Sequence, residues 1–156
     1  MLKLTIPGQD PMAFRYLVMD YNGTLAIDGE LIPGVAPRLR KLRHALDIHI
    51  VTADTFGKAR SATRDLPCTL AILPPGDQSG AKADYIATLG ASLCVCIGNG
   101  LNDHLMLARA RLGIALVQRE GAATATLLSA DLVCGRITDA LDLLLYPLRL
   151  TAGLRA

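Results

Sequence analysis

The sequence predicts an α/β chain built on a mostly parallel sheet, and three observations carry that reading. Short apolar runs alternate with helical patterns, the order that makes βαβ units. The polar residues that stand out fall where apolar runs end or helices begin. No internal repeat, low-complexity tract or linker interrupts the 156 residues. They are read as a single domain over 1–156, with an N-terminal β-hairpin over about 1–14 and a core over about 15–148.

Each element has a local pattern behind it. Leu2 to Ile6 reads as a short strand turning at Pro7-Gly8 and pairing with the next segment of the chain. Tyr16-Leu17-Val18-Met19 is the first core strand and ends at Asp20. A short flap over Ala26 to Gly34 contains Asp28-Gly29, suited to a tight hairpin. Val35, Leu39, Leu42 and Leu46 recur at helical spacing, with Pro33 near the start. Ile48 to Val51 is a strand ending at Thr52, followed by a helix from about Gly57 to Arg64. Thr69 to Leu73 is a third strand, stopped by Pro74-Pro75. The next helix begins near Gly80 and carries Lys82 in its first turn. Leu93 to Ile97 is a fourth strand that empties into Gly98-Asn99-Gly100. A helix from about Asn102 precedes a fifth strand, Gly113 to Val117. A further helix, a short strand at Leu132 to Cys134 and a last helix with Ile137, Leu141 and Leu144 complete the order.

Composition narrows the partners. Apolar residues make up 51% of the chain but aromatic residues only 4%, with no Trp, so the core is aliphatic. A net charge of +2 is too small to argue for nucleic acid or an anionic membrane. Arg38, Arg40, Lys41 and Arg43 are expected to form the solvated face of a helix. No apolar run approaches the ~18 residues of a membrane span, and the N-terminus lacks the core of a signal peptide. Cys68, Cys94, Cys96 and Cys134 lack zinc-site spacing and read as buried thiols, although Cys94 and Cys96 share one strand face. A cytoplasmic setting is expected.

Chemistry collects at Asp20, Thr52, Lys82 and the run Asn99 to Asp103. Open α/β sheets bind ligands outside the carboxyl ends of their strands, so these positions can converge on one crevice. There a carboxylate can attack phosphorus and split one hard step into two. A lysine can neutralise phosphoryl oxygens, and a threonine hydroxyl can donate to them. Mg2+ accepts one or two carboxylates with neutral oxygens and water, which Asp20, Asp103 and Asn99 or Asn102 can supply. Gly23 and Gly100 allow sharp turns and close backbone approach.

The stretch Asp20-Tyr21-Asn22-Gly23-Thr24-Leu25 resembles the first motif of the haloacid-dehalogenase superfamily, Asp-x-Asp-Gly-Thr. Thr52 resembles the second motif, Lys82 the third, and Gly98-Asn99-Gly100-Leu101-Asn102-Asp103 the fourth. Their spacings are 32, 30 and 21 residues between Asp20, Thr52, Lys82 and Asp103. The fourth motif and Thr52-Ala53-Asp54 look most like the phosphorylation domain of P-type ATPases and its soluble relatives. The resemblance implies a three-layer Rossmann-like fold and a Mg2+-dependent phosphohydrolase or phosphotransferase that is phosphorylated on Asp20. It implies Asp20, Asn22, Thr52 and Lys82 as catalytic residues and Asp20, Tyr21, Thr52, Ala53 and Lys82 around the phosphate. The metal set implied is Asp20, Asn22 through its main-chain carbonyl, Asn99, Asn102 and Asp103. The intervals between motifs have no room for a cap domain, so the open site either accepts large substrates or is covered by a neighbouring subunit. The partners expected are a phosphorylated small molecule or nucleotide, with a homo-oligomer as the reading of assembly.

Two positions depart from the superfamily pattern. Asn22 stands where its phosphatases usually place a second Asp that protonates the leaving group; an amide has no proton to exchange. That favours substrates with good leaving groups, such as nucleotide, acyl or aryl phosphates. Asn99 stands where an Asp is common, which weakens the pull on a hard cation. A catalytically impaired binding or regulatory module that retains a Mg2+/phosphate pocket is the alternative. Asp54 either completes the polar site or caps the helix after it, and His104 reads as a helix-surface residue. A receiver domain is set aside because the nucleophile lies on the first core strand. A dinucleotide-binding oxidoreductase is set aside because Gly98-Asn99-Gly100 lacks a third glycine and comes after the fourth strand.

Overall fold

The computed structural model describes residues 1–155. Strands β1 (Leu2–Leu4) and β2 (Met12–Phe14) form an antiparallel pair, Leu2 opposite Phe14. The main sheet is built from β3 (Tyr16–Met19), β6 (Asp47–Thr52), β7 (Thr69–Ile72), β8 (Cys94–Gly98), β9 (Leu112–Leu116) and β10 (Leu132–Cys134). Its order is β10-β9-β8-β3-β6-β7, and every pair is parallel. Strand β3 lies between β6 and β8, so Asp20 leaves the sheet near its middle. The hairpin of β4 (Ala26–Ile27) and β5 (Glu30–Leu31) comes soon after, turning at Asp28 and Gly29 with φ of 51° and 79°. Two successive positive φ values are what a two-residue hairpin of this hand requires.

Alternation along the strands divides the core between the two sheet faces. Leu17 and Met19 of β3, Ile48 and Ile50 of β6, and Val95 and Ile97 of β8 join one cluster. That cluster includes residues of α1 (Val35–Leu42), α6 (Ile137–Leu145) and the β1–β2 hairpin. Val18, Val51, Cys94 and Cys96 point the other way. They meet Ile86 of α3 (Gln78–Leu89) and Met106 and Leu107 of α4 (His104–Arg109), with Leu127 of α5 (Thr124–Ser129) alongside. The three-layer expectation is met. Burial on both faces explains why the strands read as near-continuous apolar runs.

Several boundaries differ from the pattern-based reading. Leu46 is buried but lies beyond α1, which ends at Leu42, because the chain turns there to enter β6. The helix expected over Gly57 to Arg64 is only α2 (Ala59–Ala62). Helix α3 starts at Gln78, where Asp77 caps the amide of Gly80, so Lys82 lies in its second turn. Short 3-10 turns at Ala91–Leu93 and Leu101–Asp103 precede β8 and α4. A further helix, α7 (Pro147–Leu154), lies beyond the last one the pattern predicts; Pro147 starts it, and Leu150 is buried.

The thiols of Cys94 and Cys96 are buried, and burial pushes Cys94 up to about 11, whereas Cys68 and Cys134 are only half-buried, against the expectation. Among the described residues no group of three His, Cys, Asp or Glu side chains is placed to hold a metal. No helix among them is long and apolar enough to cross a membrane. Arg38 departs from the solvated-face expectation: its Nε and Nη2 donate to both carboxylate oxygens of Asp142 at 2.8 and 2.9 Å, tying α1 to α6. The hydrogen bond from Arg38 holds Asp142 below its ordinary 3.8. A lowered carboxyl contributes stability above 3.8 that is lost as pH falls through the depressed value. Asp142→Asn should therefore lower the thermal midpoint at pH 7, and the difference should disappear in acid below the ordinary carboxylate range.

Candidate active site

Asp20 comes directly after β3, and its amide donates to the Ile97 carbonyl of β8 at 3.0 Å. The Lys82 side chain, fully buried, reaches in from α3. Its Nζ lies 2.7 Å from Asp20 Oδ1 and 2.6 Å from Asp103 Oδ1. The other oxygen of Asp103 accepts the amides of Asn99 and Gly100, both at 2.9 Å. Asp103 thus folds its own loop around one oxygen and meets Lys82 with the other. Gly98 is required here, because a Cβ on it would fall 2.5 Å from the Asp103 carboxyl carbon. Three groups separated by 62 and 21 residues are brought into direct contact.

The charge balance of this cluster is uneven. Burial, and then the charge of Asp103, push the Asp20 carboxyl up to about 7, although Lys82 and the Tyr21 main-chain N–H pull it down. Burial would lower Lys82, but Asp20 and Asp103 outweigh it and hold the ammonium above its ordinary value. Two carboxylates share one cation in a buried setting, a donor set that suits an additional hard cation.

Thr52 ends β6, the strand beside β3, and is buried. Its Oγ1 accepts the Asp54 amide at 3.0 Å, leaving the hydroxyl proton to donate. Asp54 adopts φ 52° and accepts the Ala59 amide at 2.9 Å, the capping alternative. The Tyr21 side chain is turned away from the site, its hydroxyl donating to the Gly29 carbonyl of the hairpin. Its main chain alone lies at the Asp20 carboxyl. Asn22 Oδ1 is buried with no hydrogen-bond partner. An unpartnered buried acceptor costs about 1–3 kcal/mol, so it marks a place for a donor to arrive.

Asn99 is occupied as a tie between loops: Oδ1 accepts from Thr24 Oγ1 at 3.1 Å and Nδ2 donates to the Gly121 carbonyl at 2.9 Å. One lone pair of Oδ1 remains for a cation. Asn102 faces α3, donating to Gln78 Oε1 at 3.1 Å. His104 bonds the Leu101 carbonyl. Sequence reasoning missed Gln78 and Gln118. Gln118 lies just past the end of β9 as Asp20 lies just past β3, so the strand-end rule could have found it. The carboxylates of Asp20 and Asp103, the free lone pair of Asn99 Oδ1 and the unpartnered Asn22 Oδ1 are hard oxygen donors, the chemistry that a divalent cation takes.

No family model matches the chain. It is 52% identical over 61 residues to the uncharacterized protein MJ0073 of Methanocaldococcus jannaschii, covering 39% of this chain and 66% of that protein, slightly under two thirds of its length. It is 44% identical over 39 residues to MJ0072 of the same organism, covering 25% of this chain and 89% of that protein. The fold matches a haloacid-dehalogenase superfamily (subfamily III A) hydrolase from Legionella pneumophila, TM-score 0.72 at 20% identity over 89% of this chain and 86% of that one. It also matches two 3-deoxy-D-manno-octulosonate 8-phosphate phosphatases at TM-score 0.71. The one from Moraxella catarrhalis, solved with magnesium, phosphate and sugar, is 19% identical, covering 85% of this chain and 86% of that one. The cobalt-bound one from Haemophilus influenzae is 17% identical, covering 85% and 88%. The intervals from Asp20 to Thr52 and from Thr52 to Lys82 hold only the hairpin, three helices or helix starts and two sheet strands, with no inserted cap. The chain therefore has the haloacid-dehalogenase fold in capless form, and it belongs to one family with MJ0072.

Proposed function

We propose that the protein is a Mg2+-dependent phosphohydrolase or phosphotransferase that works through an aspartyl-phosphate on Asp20. The observation that carries this reading is the buried Lys82 ammonium held between Asp20 and Asp103 at 2.7 and 2.6 Å. Such a cluster is costly to bury, and phosphoryl transfer gives it a use.

Asp20 Oδ2, the oxygen free of Lys82, forms a bond to phosphorus while the bond from phosphorus to the leaving oxygen breaks. Lys82 and the Thr52 hydroxyl hold phosphoryl oxygens against this attack, with the main chain at Tyr21 and Ala53 beside them. Water then cleaves the acyl phosphate, releasing inorganic phosphate and restoring the carboxylate; in the transferase case an acceptor hydroxyl replaces water. Mg2+ held by Asp20, the Asn22 main chain, Asp103 and the Asn99 or Asn102 amide oxygen would neutralise charge developing on the phosphoryl group.

Asn22 shapes the choice of substrate. It can orient a leaving oxygen through its amide but cannot protonate it. Substrates whose leaving groups need no proton are favoured: nucleotide, acyl or aryl phosphates. A cytoplasmic protein acting on small phosphorylated molecules, with a second copy covering the open rim, fits this reading.

The test is a Mg2+-dependent phosphatase screen over nucleotides, acyl, aryl and sugar phosphates, comparing wild type with Asp20→Asn. Release of phosphate that needs Mg2+ and is lost in Asp20→Asn supports the proposal. Mg2+ binding without turnover on any of these classes would favour the regulatory module instead.

A further inference from the structure

The loop after Asp20 is held from outside itself. Within it, the Tyr21 carbonyl accepts the amides of Thr24, Leu25 and Ala26, and Gly23 donates to Ala26. The Gly23 and Thr24 carbonyls are left pointing outward. Both are taken by one side chain: Gln118 Nε2 donates to each at 3.0 Å. The Oε1 of the same amide accepts the Ile137 amide at the start of α6, at 2.8 Å. Three residues further on, the Gly121 carbonyl accepts from Asn99, whose Oδ1 accepts from Thr24. The segment from 118 to 121 thus spans both the nucleophile loop and the loop of Asp103. Gly23 has φ 77°, and a Cβ there would stand 2.4 Å from the Asn99 amide, so the two loops are also in tight contact.

A cleft of about 700 Å3 opens between the β4–β5 hairpin and the segments after β9 and β10, lined by Ile27, Leu31, Pro33, Gln118, Arg119 and Arg136. Gly23 and Thr24 are buried behind this cleft, and the Gln118 amide that lines it is the group that holds their carbonyls. Rotation of the peptide planes of residues 22 to 24 would swing Asn22 relative to Asp20.

We propose that Gln118 is a positioning residue for phosphoryl transfer, locking the nucleophile loop in register with the Asn99–Asp103 loop. It touches no reacting atom. The inference rests on the reading of Asp20 as the nucleophile, and its expected size comes from the sensitivity of positioned reactions to shifts of about 1 Å, roughly 10²-fold.

Gln118→Glu is the informative variant. Its carboxylate keeps an acceptor for the Ile137 amide but cannot donate to the two carbonyls, so it separates loop holding from the support of α6. With an aryl phosphate and Mg2+, kcat should fall at least tenfold at pH 8 with a smaller change in KM. When protonated, the introduced carboxyl regains one donor, so the deficit relative to wild type should shrink severalfold as pH falls to 5. Asp28, Glu30, Arg119 and Arg136 line the same cleft, and Glu120 adjoins Asp28; all are common to both proteins, so the ratio isolates the new group. In the Mg2+-free protein, amide exchange at 23 to 26 should rise at least tenfold in Gln118→Glu and in Gln118→Asn, which is one methylene short. Unchanged exchange in both variants, or a kcat deficit that is the same at every pH, overturns the proposal. Absence of Asp20-dependent turnover in wild type would refute the phosphoryl-transfer reading separately, because the exchange measurement does not depend on turnover.

Discussion

Replacing Lys82 with methionine is expected to destabilise the protein by about 3–5 kcal/mol, the cost of leaving buried charges without their partner. For a chain of this size that is a drop of about 6–20 °C in thermal midpoint. The fit of the side chain is not the issue, since methionine nearly matches the apolar stem. The loss is the ammonium that bridges Asp20 and Asp103, all three side chains nearly or fully buried. The pH dependence has a definite sign. Asp20 already sits at about 7 against an ordinary 3.8, so its ionisation opposes folding as pH rises through that interval. Without Lys82 its carboxyl goes higher still, so the variant should lose more stability at pH 8 than at pH 5. Adding Asp20→Asn to Lys82→Met removes one of the stranded charges and should recover part of the loss, a coupling that independent sites would not show. Melts of the single and double variants at both pH values measure it. A Lys82→Met protein that melts within about 2 °C of wild type at pH 8 would show that the cluster is not held as described.

The second large effect is a gain. Asn22→Asp should raise turnover of alkyl phosphates by severalfold at least, and up to about 10²-fold, the lower end of what a positioned general acid contributes. Aryl and acyl phosphates, whose leaving groups depart without a proton, should change much less. The ratio of the two gains is the diagnostic quantity, since a general improvement in folding or metal binding would raise both alike. The unpartnered Asn22 Oδ1 makes the substitution sterically conservative at an atom that bonds nothing in the protein. Steady-state kinetics on one alkyl and one aryl ester settle the matter; equal gains, or none, refute the role assigned to residue 22.

Much of the fold is legible because the strands carry their own signal. Tyr16 to Met19 and Cys94 to Ile97 are apolar on both faces, and the polar positions Asp20 and Asn99 begin where these runs stop. The direct contacts among Asp20, Lys82 and Asp103 accord with the strand-end positions and motif spacing. The illegible parts are those set by tertiary contacts. Helix α7 lies past the last helix that the pattern predicts, and in the fold Pro147 opens it and it buries Leu150. The end of α1 is misplaced because Leu46 keeps the apolar spacing although the chain has turned toward β6. Asn99 reads as a weakened metal ligand; its bonds to Thr24 and Gly121 depend on loops 75 and 22 residues away, which no local pattern announces. Arg38 reads as part of a solvated face for the same reason, since its partner Asp142 lies on a distant element, and the carbonyls that Gln118 holds are equally distant although its strand-end position is visible.

Strand β3 leaves the ribosome first among the strands of the parallel sheet, yet its two neighbours are made much later. Tyr16 pairs with Asp47, 31 residues on, and with Cys94, 78 residues on. At about 5–20 residues per second, the nascent chain carries one flank of β3 bare for roughly 4–16 s. Leu17 to Met19 are apolar throughout that wait, so translation stalled before β8 should yield a chain that needs a holding chaperone. Asp20 is the first group of the constellation to be synthesised, and the strand that carries it has no partner on one side until β8 is made.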